Sequence, residues 1–266
     1  MAVVETERHG QVLVVRMNRP ERLNALSHEM RTELSKAWND FRHSKELEVA
    51  IFTGTGRGFC AGEDMKESLA NGAPGGRRPA IEDPFMSGAL EKPVIAAVNG
   101  FAMGGGFMLV ERTDLRVAVP EAVFEVSEAK RWLLGGYNHG HLANMPYPIA
   151  MEMALGFRFT AERLYQVGFL NRLVPQDELM PKAISMAEHL LSLPPAARVN
   201  TVHIMRQMRP EPSPAHKGLA AKLHEHGDKG DLIESRAAFA EKRKPNFKGW
   251  LDPQDRYRLP RIEAVK

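Results

Sequence analysis

The stretch Val94-Ile95-Ala96-Ala97-Val98-Asn99-Gly100-Phe101-Ala102-Met103-Gly104-Gly105-Gly106 decides how this chain folds. Residues 93–98 form a short, almost wholly apolar run, the pattern of a strand buried on both faces. Asn99-Gly100 turns the chain. The glycine run then stands at a strand-to-helix turn, where small residues let a ligand approach backbone N–H groups closely. A helix start adds donors without acceptors and the positive end of a dipole. The run has no Gly-Lys-Ser/Thr and no G-x-G-x-x-G spacing, so it is neither a P-loop nor a dinucleotide fingerprint.

Gly58-Phe59-Cys60-Ala61-Gly62-Glu63-Asp64 repeats the arrangement after the strand Val49-Ala50-Ile51-Phe52-Thr53. One such turn more often serves tight packing alone. Two of them, closing strands of one sheet, can bring two N–H groups to a developing oxyanion. Each such donor is worth about 3–4 kcal/mol in the transition state.

Outward from these turns the pattern is strand and helix in alternation. Val12–Met17 reads as a strand joined by a hairpin at Gly10-Gln11 to an earlier one, and Leu115–Val119 as another. Ser27 is placed to cap a helix carrying Met30, Leu34, Ala37, Trp38 and Phe41 at helical spacing. Alternation of this kind predicts parallel strands with crossover connections. Residues 71–79 are rich in Gly, Pro and Arg and read as a mobile loop. From about residue 140 the spacing predicts helices alone, over 142–155, 160–167, 178–192, 196–208 and 215–243. The expected division is an α/β core over 1–195 and a helical region over 196–266.

Composition narrows the function classes. The chain has 266 residues, enough for a sizeable core, and its 43% hydrophobic and 26% charged content is that of a globular protein. A formal net charge of +3 gives no general field for nucleic acid. No apolar stretch reaches transmembrane length. Cys60 is the single cysteine, which excludes a disulfide framework and suits a reducing compartment. The start lacks a signal-peptide pattern, so a cytoplasmic setting is expected; a removed organelle presequence is the alternative. His224 and His226 stand two apart on a helix and face away from each other, and no metal motif occurs.

Several stretches together resemble the crotonase, or enoyl-CoA hydratase/isomerase, superfamily. They are Asn18-Arg19-Pro20-Glu21-Arg22-Leu23-Asn24-Ala25-Leu26, the two glycine turns, Arg158-Phe159-Thr160-Ala161-Glu162, and Val167-Gly168-Phe169-Leu170-Asn171-Arg172-Leu173-Val174-Pro175. The resemblance covers nearly the whole chain. It implies an α/β fold with a ββα spiral core and a helical C-terminal trimerisation region, assembled as a homotrimer or a hexamer of two trimers. It implies an acyl-CoA thioester as substrate, with no cofactor beyond that CoA moiety. The N–H groups of Ala61 and Gly105 are then expected to hold the thioester oxygen as an enolate forms. Arg22, Leu23 and the stretch from Cys60 through Gly62 to Asp64 are expected along the CoA path, and Phe247-Lys248 at the CoA of a neighbouring subunit. Arg22 and Lys248 also read as plain surface cations, Cys60 as packing in its turn, and Lys242–Lys244 as a solvated helix end or a phosphate contact.

Family hydratases carry two glutamates. The first position is Met108 here, which cannot transfer a proton; the second is Glu128, in Phe124-Glu125-Val126-Ser127-Glu128, and is the expected acid/base. Its other reading is an acid at a helix start beside Ser127. Loss of the first carboxyl favours a double-bond shift over hydration, with hydrolysis and decarboxylation also open. A noncatalytic acyl-CoA binding protein is the reading from a different class. Glu111, one turn beyond Met108, is either a stand-in acid or a helix-surface salt-bridge residue. The stretch Gly135-Gly136-Tyr137-Asn138-His139-Gly140-His141 departs from the family, which is small there. Gly136, Tyr137 and His139 are expected to wall the substrate pocket, with His139 as acid, base or carbonyl ligand. The alternative is that Asn138 caps the helix and both histidines lie at its exposed start.

Overall fold

The computed structural model describes residues 2–70 and 79–262. Nearly all of the loop expected over 71–79 lies outside the described residues. In chain order the elements are β1 (Val4–His9), β2 (Val12–Met17), α1 (His28–His43), β3 (Val49–Gly54), β4 (Gly58–Cys60), α2 (Met65–Ala70), α3 (Pro84–Ser87), β5 (Val94–Val98), β6 (Phe101–Met103), α4 (Gly105–Arg112), β7 (Leu115–Ala118) and β8 (Val123–Glu125). There follow α5 (Gly136–Leu142), α6 (Tyr147–Ala154), β9 (Arg158–Thr160), α7 (Ala161–Gln166), β10 (Arg172–Leu173), α8 (Leu179–Leu191), α9 (Pro195–Gln207), α10 (Pro214–His224) and α11 (Gly230–Ala240).

These elements form two compact units, Met1–Glu125 with Arg158–Arg209, and Val126–Phe157 with Pro210–Lys266. The first unit holds both sheets. A six-stranded sheet runs β1-β2-β3-β5-β7-β10, parallel throughout except for the β1–β2 hairpin. β3 and β5 are buried at every residue, which is why they read as unbroken apolar runs. Ser27 caps α1 by accepting from the Met30 amide, and the predicted apolar face of that helix is buried. Trp38 stacks on Phe85 with ring centroids 4.9 Å apart, and Phe52 and Phe59 meet edge to face beside them.

A second sheet, β4-β6-β8-β9, carries the glycine turns. β4 and β6 are three-residue strands placed where a simple turn into a helix was expected, and they pair in parallel. The expectation of helices alone beyond residue 140 is corrected by β9 and β10. These have three and two residues, too short to show a period, and they exist because β8 and β7 offer them an edge. The helix expected over 142–155 is α6, with α5 a separate helix before it. The long helix over 215–243 is two, interrupted where Gly227 adopts φ +134°.

The expected boundary at residue 195 falls inside the first unit. Arg198 of α9 is buried and pairs with Glu48 over 2.5 Å, and Arg206 forks onto both oxygens of Asp114 over 2.8 and 2.6 Å. These part-buried, charge-assisted pairs fasten α9 to the sheet beside it.

Candidate functional site

The parallel pairing of β4 with β6 sets the two glycine turns side by side. Gly62 has φ +87°, and a Cβ there would stand 2.6 Å from the Met103 carbonyl oxygen and 3.3 Å from the Gly105 nitrogen. A Cβ on Gly106 would stand 2.2 Å from the Cys60 oxygen. No side chain fits either place, so the backbones of the two turns interlock.

Gly105 is the first residue of α4, and Gly104 before it has no side chain to cap the helix. The Gly105 N–H therefore has no intrahelical acceptor and lies at the positive end of the dipole. Its expected partner needs correcting. The Ala61 N–H donates to the Leu23 carbonyl over 2.9 Å, a bond that ties the first turn to the segment before α1. The amide that lies against Gly105 is that of Glu63, its nitrogen 4.0 Å from a Cβ built on Gly105. Leu26 bridges to this residue in parallel, donating to the Gly62 carbonyl and accepting from the Asp64 amide. Such a bridge bonds the groups on either side of Glu63 and leaves its own N–H aimed the other way.

The residues expected along the CoA path divide. Asp64 is built into the fold: its Oδ1 accepts from the Lys66 and Glu67 amides at the start of α2, and its Oδ2 takes Arg19 over 2.8 Å. Burial works against its charge, but those amides and the guanidinium outweigh it and hold the carboxyl below the ordinary value. Asn24, to which the sequence alone assigns no task, is fully buried; it accepts from the Arg19 amide and donates to the Thr55 and Gly58 carbonyls. The Asn24-Ala25-Leu26 signature is thus a clamp on the first turn. Arg22 is exposed, and Leu23 is half-buried with a left-handed φ of 49°. Cys60 is fully buried, and burial pushes its thiol up to about 12, the state of an inert packing group. Met108 is half-buried in the first turn of α4. Glu111, expected at the helix surface, is 3% exposed, and its charge acts on Arg112, Arg116 and Arg209.

The second unit holds the remaining predicted residues. Glu128 begins a short 3-10 turn, Ala129–Arg131, but its side chain does not cap it. The carboxyl turns toward α5, where its Oε1 lies 3.5 Å from His139 Nε2. The two side chains are 18% and 9% exposed. Glu128 Oε2 is buried with no hydrogen-bond partner among the described residues, and so is Asn138 Oδ1. α5 begins at Gly136, so Asn138 stands inside the helix, and His139 is buried rather than at an exposed start. Gly136 and Gly140 face α6: Cβ atoms there would stand 3.1 Å from the Ala154 oxygen and 2.5 Å from the Ala150 Cβ. Gly136 is therefore a packing residue. Tyr137 is 41% exposed. Phe247 and Lys248 are exposed, and the Lys248 and Gly249 amides are pinned by the buried carboxylate of Asp231. In the Lys242–Lys244 run, Arg243 pairs with Glu234 and Glu241.

Among the described residues no cluster of three or more His, Cys, Asp or Glu could hold a metal ion, and no helix is long and apolar enough to cross a membrane.

A family model described as enoyl-CoA hydratase/isomerase matches residues 7–250. Enoyl-CoA hydratase EchA19 of Mycobacterium tuberculosis is 35% identical over 272 residues, covering 93% of this chain and 99% of that protein. Carnitinyl-CoA dehydratase of Citrobacter koseri is 35% identical over 262 residues, covering 91% and 97%. Among solved structures, carnitinyl-CoA hydratase from Mycobacterium avium superposes with a TM-score of 0.80 at 28% identity, over 93% of this chain and 99% of that one. A probable enoyl-CoA hydratase/isomerase from Mycobacterium abscessus gives 0.70 at 34% identity, over 92% and 98%. The interlocked turns, the two sheets and these likenesses agree: the chain is an enzyme of the enoyl-CoA hydratase/isomerase family, the crotonase superfamily.

Proposed function

We propose that the chain adds water to, or removes it from, an acyl-CoA thioester, with Gly105 and Glu63 amides holding the enolate oxygen and Glu128 moving the proton. The interlock of Gly62 with Met103 and Gly105 carries this reading. It sets an amide at a helix start near a second amide, with the Leu26 side chain packed beside them, an arrangement suited to stabilising charge that develops on a carbonyl oxygen. Ala61 leaves the proposal because its N–H is committed to Leu23.

One carboxyl suffices for dehydration. Glu128 takes the proton from the carbon next to the thioester carbonyl, the enolate expels a β-hydroxyl, and the same proton leaves with it as water; hydration is the reverse. The names of the relatives, hydratase and dehydratase, support water chemistry. Met108 in place of a second acid supports the second reading, a double-bond shift. A screen of acyl-CoAs in heavy-oxygen water separates them. Label uptake into a 3-hydroxyacyl product is expected. A double-bond shift without label establishes the isomerase. Label in a free acid establishes a hydrolase, and loss of carbon dioxide a decarboxylase. No turnover across saturated, unsaturated and hydroxylated chains overturns this reading in favour of a noncatalytic binder, and undiminished turnover in Glu128→Gln overturns Glu128 as the acid/base.

The same proposal takes a homotrimer or a pair of trimers in a cytoplasmic setting. The exposed Ile204, Met205 and Met208 supply apolar surface for assembly. Light scattering on the purified chain gives the subunit count. Exposed Arg22 and Lys248 are assigned to the CoA phosphates, and charge reversal at each should raise KM for the thioester.

A further inference from the structure

We propose that His139 is a positioning residue for the reaction: through its Nε2–H it holds Glu128 Oε1 and so dedicates Oε2 to the substrate proton. This rests on Glu128 being the acid/base and goes beyond it by assigning different tasks to the two carboxyl oxygens.

Three observations carry the inference. First, His139 Nε2 lies 3.5 Å from Glu128 Oε1, with both side chains largely withdrawn from water. Catalytic contacts are often long before substrate binds and tighten afterwards. Second, Glu128 Oε2 is buried without a hydrogen-bond partner among the described residues. A buried polar oxygen is stabilised by a donor that reaches it, and a substrate proton is such a donor. Third, the backbone leaves Glu128 a fixed route toward His139. Its carbonyl accepts from Arg131 and Leu133, and a Cβ built on Gly135 would meet its Cγ at 3.6 Å.

Arg131 lies over the Phe239 ring, 4.2 Å from its centroid, and Lys130 runs along Gly156. Glu152 of α6 stands two residues from both Ala150 and Ala154, off the face that meets α5. His139 is buried, and Gly140 beside it packs on Ala150. A ring held this way orients one carboxyl oxygen without itself meeting the substrate.

The test uses the full chain with a thioester that the wild type turns over. His139→Leu removes the donor, and kcat should fall about 10- to 100-fold, within the range for misplaced acid–base groups, with KM changed less than threefold. His139→Gln keeps an N–H near the Nε2 position and should recover at least tenfold over Leu. It should also lose one limb of the kcat/KM pH profile. In wild type, the ring of His139 followed by NMR should change its titration midpoint when Glu128 becomes Gln. If Glu128→Gln abolishes turnover while His139→Leu retains wild-type kcat and pH profile, this inference falls and the Glu128 assignment stands. If Glu128→Gln turns over normally, the underlying assignment falls instead. A Gln variant no better than Leu overturns the donor role. Should the Leu variant fail to fold, a His139 titration indifferent to Glu128→Gln overturns the coupling by itself.

Discussion

The main-chain N–H of Ala61 is bonded to the carbonyl of Leu23 over 2.9 Å. That bond moves the second oxyanion donor from Ala61 to Glu63, and the two sites can be separated chemically. Replacing the Glu63 amide by an ester through semisynthesis removes one donor and should lower kcat about 10²- to 10³-fold. The same change at Ala61 weakens a structural bond worth about 1 kcal/mol and should leave kcat within a few-fold. Equal kcat losses at both positions would return Ala61 to the site.

Gly62→Ala places a methyl group 2.6 Å from the Met103 oxygen at a φ of +87°. The backbone strain alone costs about 1–3 kcal/mol, and the displaced turn should lose turnover as well. Urea unfolding and a steady-state assay on the same preparation measure both. Gly10→Ala is the control, since its φ of +58° carries the conformational cost but nothing lies within 4 Å of the new methyl.

Asp64 should make the fold acid-sensitive. Its carboxyl is held below the ordinary value in the folded state. The stability it adds is therefore fully present above the unfolded value near 4, and is lost as pH falls through the lower folded value. Asp64→Asn should cost about 1 kcal/mol at neutral pH through the weakened cap on α2 and the lost Arg19 pair. It should also flatten the unfolding midpoint between pH 5 and pH 2. A variant with the acid dependence of the parent would refute this account.

Cys60 should resist alkylation while the chain is folded. Thiolate is the reactive form, and the buried thiol stays protonated up to about 12. Modification by iodoacetamide at pH 8 is expected at the rate of unfolding, and urea should accelerate it sharply. Labelling at the rate of a free thiol in native buffer would contradict the packing role.

Arg206→Ala leaves the largely withdrawn Asp114 without its fork, with only Arg209 at 3.9 Å as a cation among the described residues, and frees the Leu90 and Lys92 carbonyls. The loss should be about 2 kcal/mol, from charge-assisted hydrogen bonds given up in a part-buried site. Lys217→Ala, which breaks an exposed pair with Glu211, should cost under about 1 kcal/mol. Comparable losses in the two variants would mean that α9 is not held by its buried ions.

Much of this is legible in the residues. β2, β3 and β5 are buried at nearly every position and show as apolar runs, and α1 shows its cap and its face. Gly105 is visible because a glycine run directly after a strand marks a place where backbone must be approached closely. What stays hidden depends on distant pairing. β9 has one buried residue among three, and becomes a strand because β8 lies beside it. Asn24 looks like an ordinary turn residue until its three hydrogen bonds are seen. Glu63 is easily passed over because its side chain draws attention, whereas its position is set by the Leu26 bridge. The Glu128–His139 contact joins positions eleven apart through a turn and a helix, a spacing with no sequence signature.

The interlock of Gly62 with Met103 and Gly105 has a genetic consequence. Its reactive atoms are peptide nitrogens, which every codon supplies alike. A missense change cannot delete such an atom or alter its charge. It can reach the chemistry only by size, by forcing Gly62 or Gly106 apart from its neighbour, or by introducing proline. Damaging alleles at Gly62 and Gly106 should therefore sort by bulk, with polarity nearly irrelevant. At Glu128 they should sort by charge.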